Sequence, residues 1–301
     1  MRVLITGGCK NGKSSFAQRV AVSQGERRVY VATMAPHDEE DRECIRRHLA
    51  ARAGLAFETA EISRGIESVC GLFPSGSSLL IDSVTTLLAE EMFPEGQMDE
   101  AAPVRVAQGL LNVCNGFENV VFVSDSVGSD ARHYDAQTDC FRSSLALLER
   151  TLAGSCELAV EMCFGRPTVW KGHLPLFLAA KDGDKKGNGM VLIVGGAHQG
   201  KRAFAMETLG FAREKIFANT HEEILAMLDA GVDPVSHMEA LAAQWEDGAI
   251  LLEDICCGVV PLDARERAWR IAVGRCGTAL AAHAAKVYRV FCGRGIELPN
   301  A

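Results

Sequence analysis

No apolar stretch of this chain approaches the roughly twenty residues that a membrane-spanning helix needs, so no membrane span is expected. Positive charge is also in deficit. The 31 Lys and Arg face 39 Asp and Glu, and the formal net charge of −8 argues against a general nucleic-acid binder. Lys10, Lys13 and the pair Arg46-Arg47 are local exceptions that leave room for a phosphate site. Paired C-x-x-C metal spacing is missing as well: the 11 cysteines lie scattered, several of them in apolar stretches (Cys163, Cys256, Cys257, Cys292). The chain opens on an apolar run, Val3-Leu4-Ile5, that reads as a strand rather than a secretion signal. An odd number of cysteines then reads as reduced thiols in a cytoplasmic setting. The 301 residues suffice for one large or two small domains, each with its own core.

What the chain does have is a phosphate-binding loop at its start. Gly7-Gly8-Cys9-Lys10-Asn11-Gly12-Lys13-Ser14 fits G-x-x-x-x-G-K-[ST], with the strand run before it and a helical pattern from Ser15 onward. Glycines let backbone N–H groups turn inward around phosphate oxygens, and the helix N-terminus adds positive potential there. Lys13 can reach the β- and γ-phosphates, and the Ser14 hydroxyl can hold Mg²⁺. A second copy, Gly195-Gly196-Ala197-His198-Gln199-Gly200-Lys201-Arg202, follows Val191-Leu192-Ile193. Arg202 stands where the metal-binding hydroxyl would be, so this loop reads as a structural relic.

The repeat extends beyond the loops. A shift of 188 residues superimposes Val3-Leu4-Ile5, Gly7-Gly8, Gly12-Lys13 and Phe16-Ala17 on identical residues. Later a shift of 128 aligns Asp135-Ala136 with Asp263-Ala264, Phe141-Arg142 with Trp269-Arg270, and Gly165-Arg166 with Gly293-Arg294. Internal duplication, with about sixty residues missing from the middle of the second copy, predicts two similar α/β units. Their expected bounds are 1–180 and 189–301, joined by the polar, Gly-rich stretch from Lys181 to Gly189. Within the first unit Arg28 to Thr33, Ser78 to Asp82, Asn119 to Ser124 and, more weakly, Leu158 to Met162 read as buried strands between helical patterns. The expectation is a P-loop NTPase-type, mostly parallel sheet with helices on both faces. Ligands in such sheets gather at the carboxyl ends of the strands, where the loop, Thr33, Asp82 and Asp125 would converge.

The segment from Asp38 to Arg52 has an acidic start and a basic end, which suits a helix in the direction of its dipole. Helical spacing places Ile45, His48, Leu49 and Arg52 on one side. A neighbouring arginine disfavours imidazolium and keeps a ring nitrogen of His48 nucleophilic.

The ordered set formed by this loop, the strand ending Val31-Ala32-Thr33, and Ile45-Arg46-Arg47-His48 with Arg52 resembles one family. That family is the bifunctional adenosylcobinamide kinase / adenosylcobinamide-phosphate guanylyltransferase of cobalamin biosynthesis. Phe57-Glu58-Thr59-Ala60-Glu61 is similar to its W-R-T-x-E stretch, and Leu79 to Thr86 to its L-L-x-[DE]-C-[IL]-T stretch. In the second unit Cys257-Gly258-Val259-Val260-Pro261 is similar to its G-x-G-I-V-P segment. The resemblance implies phosphorylation of the cobinamide side-chain hydroxyl, followed by transfer of GMP from GTP through a guanylylated histidine. It places phosphates on Gly7 to Ser14 (Gly7, Gly8, Cys9, Lys10, Asn11, Gly12, Lys13, Ser14) and GMP on His48. Thr33, Met34 and Ala35, with Leu49, Ala50, Ala51 and Arg52, would line the nucleotide site. Glu61 and Asp82 would sit near the guanine, whose N1–H and N2–H₂ donors suit carboxylates. For Asp82 an acid that organises Mg²⁺ together with Ser14 is an equal reading, and Glu61 is equally well a surface acid.

The implied ligands are GTP or ATP, Mg²⁺ and a small-molecule corrinoid. Nucleic acid is not expected, and a homo-oligomer or an internal pseudo-dimer stays open. Some positions depart from the family. Asp125-Ser126-Val127-Gly128 stands for N-E-V-G in the first unit, Glu253-Asp254-Ile255-Cys256 in the second, Glu90 for an asparagine and Phe57 for the tryptophan. Two other readings follow from these departures: a catalytically reduced nucleotide-binding or regulatory protein, or a P-loop kinase for another small metabolite.

Overall fold

The structure is a computed structural model that describes residues 1–37, 39–130, 132–175, 178, 189–245 and 247–300, without the side chains of residues 40, 41, 44, 48 and 51. The expected junction up to residue 188 lies outside the described residues. The chain divides into two compact units. One comprises Met1–Thr6, Lys13–Glu161 and Val169–Leu174, the other Gly7–Gly12, Met162–Thr168 and Pro175–Ala301. This division assigns the arc of the first loop to the second unit, which the sequence does not foreshadow.

The elements of the first sheet and its helices are β1 (Arg2–Gly7), α1 (Lys13–Gln24), β2 (Arg28–Ala32), α2 (Glu39–Ala51), β3 (Phe57–Glu61), α3 (Val69–Leu72), β4 (Ser78–Asp82), α4 (Val84–Met92), α5 (Ala102–Gly116), β5 (Asn119–Val123), α6 (Ala136–Ser155), β6 (Leu158–Cys163) and β7 (Arg166–Lys171). The strand order is β3-β2-β4-β5-β1-β6-β7, and β3, β2, β4, β5 and β1 are mutually parallel. Val3, Leu4 and Ile5 of β1 and Val120, Val121 and Phe122 of β5 are almost wholly buried, as continuous apolar runs in an inner strand must be. Connections through α1 and α2 lead toward the β3 edge, whereas those through α4 and α5 lead back toward β1. Right-handed crossovers therefore put these two groups of helices on opposite faces.

Local chemistry fixes the helix starts. Ser83 and Thr86 form a reciprocal capping box at α4, and the Asp135 carboxylate accepts from the Thr138 N–H at the start of α6. Two edge features were not legible in the sequence. Phe57–Glu61 is half-buried at Phe57 and Ala60, exposed at its other three positions, and pairs only with β2, so its polar composition conceals a strand. Arg166–Lys171 contains Pro167, which an edge strand tolerates because one side needs no ladder hydrogen bonds.

The second sheet is built from β8 (Val191–Gly195), β9 (Ile216–Phe217), β10 (Ala249–Glu253), β11 (Lys286–Phe291) and β12 (Arg294–Leu298). Its order is β12-β11-β8-β10-β9, parallel except for the β11–β12 hairpin. The helices here are α7 (Lys201–Ala203), α8 (Thr220–Asp229), α9 (Pro234–Gln244) and α10 (Ala264–His283). Leu192 and Val194 bury against Ile224, Met238, Val273 and Leu280, while Val191 and Ile193 bury against Phe204 and Ala205. Alternate side chains thus fill a core on each face of the sheet. Ten described cysteines are free thiols.

Candidate active site

The first loop has the backbone its glycines predict. Gly7 and Gly12 have φ of 147° and 86°. A Cβ on Gly7 would lie 2.5 Å from the Met162 carbonyl oxygen, so only glycine fits there. Lys10 also has positive φ (56°). Within the second unit, so divided, the arc is pinned by the Cys9 N–H donating to the Cys256 carbonyl (2.8 Å) and by the Thr278 hydroxyl donating to the Lys10 carbonyl (3.1 Å). The helix α1 begins at Lys13, directly after the loop in the chain, and runs for 12 residues.

The side chains of the first unit meet at the carboxyl ends of its strands. Strand register sets Glu61, Ala32, Asp82, Val123 and Ile5 in one row across the sheet. Asp82 and Glu61 therefore flank β2 about 10 Å apart, given the usual strand spacing. Lys13 is nearly buried, and its Nζ lies 2.9 Å from Asp125 Oδ1. The Asp125 N–H donates to Thr85 Oγ1 (2.8 Å), which fixes the chain just past β5. The neighbouring Ser124 hydroxyl donates to Glu149 Oε1 (2.8 Å). Burial pushes the Glu149 carboxyl above its ordinary range, the Ser124 bond works against this, and the Asp125 charge adds to the rise.

The other expected residues have distinct settings. Asp82 is half-buried and accepts from the Tyr30 hydroxyl (3.1 Å). Thr33 is fully buried: its hydroxyl lies 2.8 Å from both the Ser83 carbonyl and the Ser83 N–H, and 2.5 Å from the Thr86 hydroxyl. It ties the end of β2 to the start of α4. Met34 and Ala35 follow, half-buried. The Ala35 N–H (3.3 Å) and His37 Nε2 (2.8 Å) both reach Glu90 Oε1, so the acid that departs from the family pattern pins this loop. Glu61 is exposed at the sheet edge.

On α2 the acidic start and the basic residues after it pair along the helix, Arg42 with Glu39 and Arg46 with Glu39 and Glu43. His48 lies on this helix, and its side chain, like that of Ala51, is outside the described residues. Leu49 and Ala50 are exposed. Arg52 directly follows the last residue of α2. Its buried guanidinium stacks 3.8 Å over the Tyr30 ring and donates to Thr59 Oγ1 (3.3 Å). Tyr30 thus links Arg52 to Asp82, a role its apolar strand context does not betray. Among the described residues no group of three or more His, Cys, Asp or Glu could hold a metal ion by itself. No described helix is long and apolar enough to cross a membrane.

The second loop repeats the backbone of the first. Gly195, His198 and Gly200 have φ of 157°, 58° and 89°, and a Cβ on Gly195 would lie 2.5 Å from the Val290 carbonyl oxygen. The turns Phe164-Gly165 and Cys292-Gly293 match in the same way, at 47° and 79° against 47° and 76°. The chemistry differs. Lys201 Nζ donates to the carbonyls of Gly195 (3.2 Å) and Gly196 (2.7 Å) and to Glu253 (3.1 Å), and Arg202 is exposed.

Comparison with known proteins bears on this arrangement. No curated protein matches the chain. The crystal structure of the RadB recombinase is 19% identical, with a TM-score of 0.32 over 53% of this chain and 73% of that one, too low a likeness to bear on the site. The family model described as cobinamide kinase / cobinamide phosphate guanyltransferase matches residues 3–169. This stretch is more than half of the chain and contains the complete loop, α2 and the acids at the ends of β4 and β5, so the chain belongs to the cobinamide kinase / cobinamide phosphate guanyltransferase family.

Proposed function

We propose that the chain is a nucleotide-dependent transferase of cobalamin biosynthesis, which phosphorylates adenosylcobinamide and then transfers GMP from GTP to the phosphate it has made. The observation that carries this reading is the complete loop, Gly7 to Ser14, inside the matched stretch. A loop whose glycines exclude Cβ atoms, an ammonium group and a first-turn hydroxyl fit a magnesium-bound triphosphate. Lys13 neutralises charge on the β- and γ-phosphates, and Ser14 with Asp82 would hold Mg²⁺, which supplies further charge neutralisation when bound. The first transfer forms a bond from the corrinoid hydroxyl oxygen to the γ-phosphorus and releases the nucleoside diphosphate.

The second transfer is assigned to His48. An imidazole nitrogen attacks the α-phosphorus of GTP and pyrophosphate leaves. The corrinoid phosphate oxygen then takes GMP from the histidine. The test is incubation with α-labelled GTP and Mg²⁺, because a phosphoramidate is acid-labile and survives base. Base-stable label that disappears in His48→Ala supports the reading. Label that persists in that variant rejects His48, and GTP binding without any label or corrinoid phosphorylation points to a catalytically reduced protein.

We also infer that residues 189–301 are a truncated, degenerate repeat of residues 1–180. Support comes from the matched backbone of the two loops and turns, and from the shared order of neighbours, β7-β6-β1-β5 against β12-β11-β8-β10. The site for nucleotide is then placed on the first loop alone, since the second lacks the hydroxyl.

A further inference from the structure

Each loop lysine is paired with an acid carried at the end of the strand beside its own. β5 adjoins β1 and β10 adjoins β8. Lys13 Nζ lies 2.9 Å from Asp125 and Lys201 Nζ 3.1 Å from Glu253, and both pairs relate by the shifts that relate the two loops and the two strand ends. A carboxylate on a phosphate-loop ammonium is a rival for it, because both ligands are oxyanions seeking the same donors.

We propose that Asp125 is a built-in competitor for the triphosphate: it holds Lys13 in the resting loop and yields it to the incoming phosphates, so that this one side chain sets the affinity of the site. The proposal rests on the reading that the first loop takes a nucleoside triphosphate. The two partners are unequally buried in the sense the role requires. The Lys13 side chain is 8% exposed, so an unpaired ammonium there would be poorly hydrated in the resting state. The Asp125 side chain is 42% exposed, so its carboxylate can be taken up by water when Lys13 leaves. Its backbone N–H is anchored to Thr85, which keeps the carboxylate within reach for return.

The second unit carries the same lysine–acid pairing. A lysine ammonium has three donors, and Lys201 spends them on Glu253 and on two carbonyls of its own loop. Glu253 is itself only 21% exposed. Displacing it would leave Lys201 still committed to Gly195 and Gly196. The lysine of the second loop thus keeps its backbone partners whatever its acid does, and of the two acids the one on Lys13 is the more open to water.

The experiment uses the full chain with inorganic tripolyphosphate in the absence of metal, and Mg²⁺-GTP in parallel, followed by calorimetry and thermal melting. Asp125→Asn keeps an acceptor oxygen but removes the charge. It is expected to bind tripolyphosphate about tenfold more tightly, the modest size reflecting screening at a part-exposed carboxylate. Without ligand it should melt below the unsubstituted protein, and the gap should narrow at saturating tripolyphosphate. Asp125→Ser should behave alike, and Glu253→Gln should leave binding unchanged. Unchanged or weaker tripolyphosphate binding in both Asp125 variants overturns the proposal, as does a loss confined to Mg²⁺-containing samples, which would make Asp125 a metal ligand. If the unsubstituted protein and the variants bind neither probe, the nucleotide reading fails, and the competitor role fails with it.

Discussion

Gly274→Ala tests whether the arc of the first loop depends on helix α10. Inside the second unit, a Cβ on Gly274 would stand 2.4 Å from the Cys9 carbonyl oxygen and 2.8 Å from Lys10 Cβ. Carbon and carbonyl oxygen approach to about 3.3 Å at closest, so backbone must move by about 1 Å. Two of the bonds that hold the arc, Cys9 N–H to Cys256 and Thr278 to the Lys10 carbonyl, stretch if it moves. Overpacking of this kind costs about 1–3 kcal/mol. A ligand that needs the native arc must restore it against that cost, so affinity should fall about five- to hundredfold. Calorimetric titration with Mg²⁺-GTP reads the change directly. Gly71→Ala is the control, because nothing lies within 4 Å of a Cβ there. Native affinity and an unchanged melting temperature in Gly274→Ala would refute the reasoning.

Three further perturbations separate the roles assigned above. Lys13→Ala should abolish Mg²⁺-GTP binding, while Lys201→Ala keeps most of it but loses about 1–3 kcal/mol of stability, since it strips three acceptors of a buried donor; equal losses of binding would show both loops in use. Asp82→Asn, which preserves an acceptor for Tyr30, should weaken GTP and ATP alike and blunt the Mg²⁺ dependence; a loss of about 1.5–3 kcal/mol for GTP only would instead make Asp82 the guanine reader. Burial works to raise the Glu157 carboxyl, but hydrogen bonds from the Arg2 side chain and backbone N–H outweigh it and hold the group at about 2. Its folded pKa is depressed, so its contribution is complete above about 4.5 and drains away as pH falls toward 2. With the side chain half exposed that contribution is below about 1 kcal/mol. Urea midpoints from pH 6 to 2.5 should fall less steeply in Glu157→Gln, and identical slopes would reject the pairing.

The inner strands were legible because each is an apolar run buried on both faces, as Leu79-Leu80-Ile81 and Val120-Val121-Phe122 are. The loop was legible because its glycines answer to backbone angles that other residues resist, at Gly7 and Gly12. Edge elements were not, since Phe57–Glu61 owes its strand to β2 and not to its own composition. A Phe-Gly or Cys-Gly dipeptide between apolar runs was the available signal for the turns at Phe164-Gly165 and Cys292-Gly293. Asp125 could be placed at a strand end, but its pairing with Lys13 spans more than a hundred residues and leaves no periodic trace. Tyr30 sits inside a strand run, where nothing marks its hydroxyl as the partner of Asp82. The contacts of Arg52 with the Tyr30 ring and Thr59 left no sign either, because they cross from the end of α2 to neighbouring strands.

The two loops separate what a backbone keeps from what a side chain does. At corresponding positions their φ angles agree within about 10°, a degree of scatter ordinary even within one regular element. Gly7 and Gly195 are required alike, because the carbonyls of Met162 and Val290 crowd them in the same way. Sequence pressure on these glycines is therefore a packing requirement and would persist in a loop that binds nothing. Function is decided two residues further on. Ser14 offers a hydroxyl at the first turn of a 12-residue helix, whereas Arg202 adds a second cation to a helix that turns into a π-helix at Phe204–Thr208. The acids on the two lysines diverge too: Asp125 is 42% exposed and Glu253 21%. A glycine pattern is thus evidence for the shape of the loop, and the proposal of phosphate chemistry for this chain rests on Lys13 and Ser14.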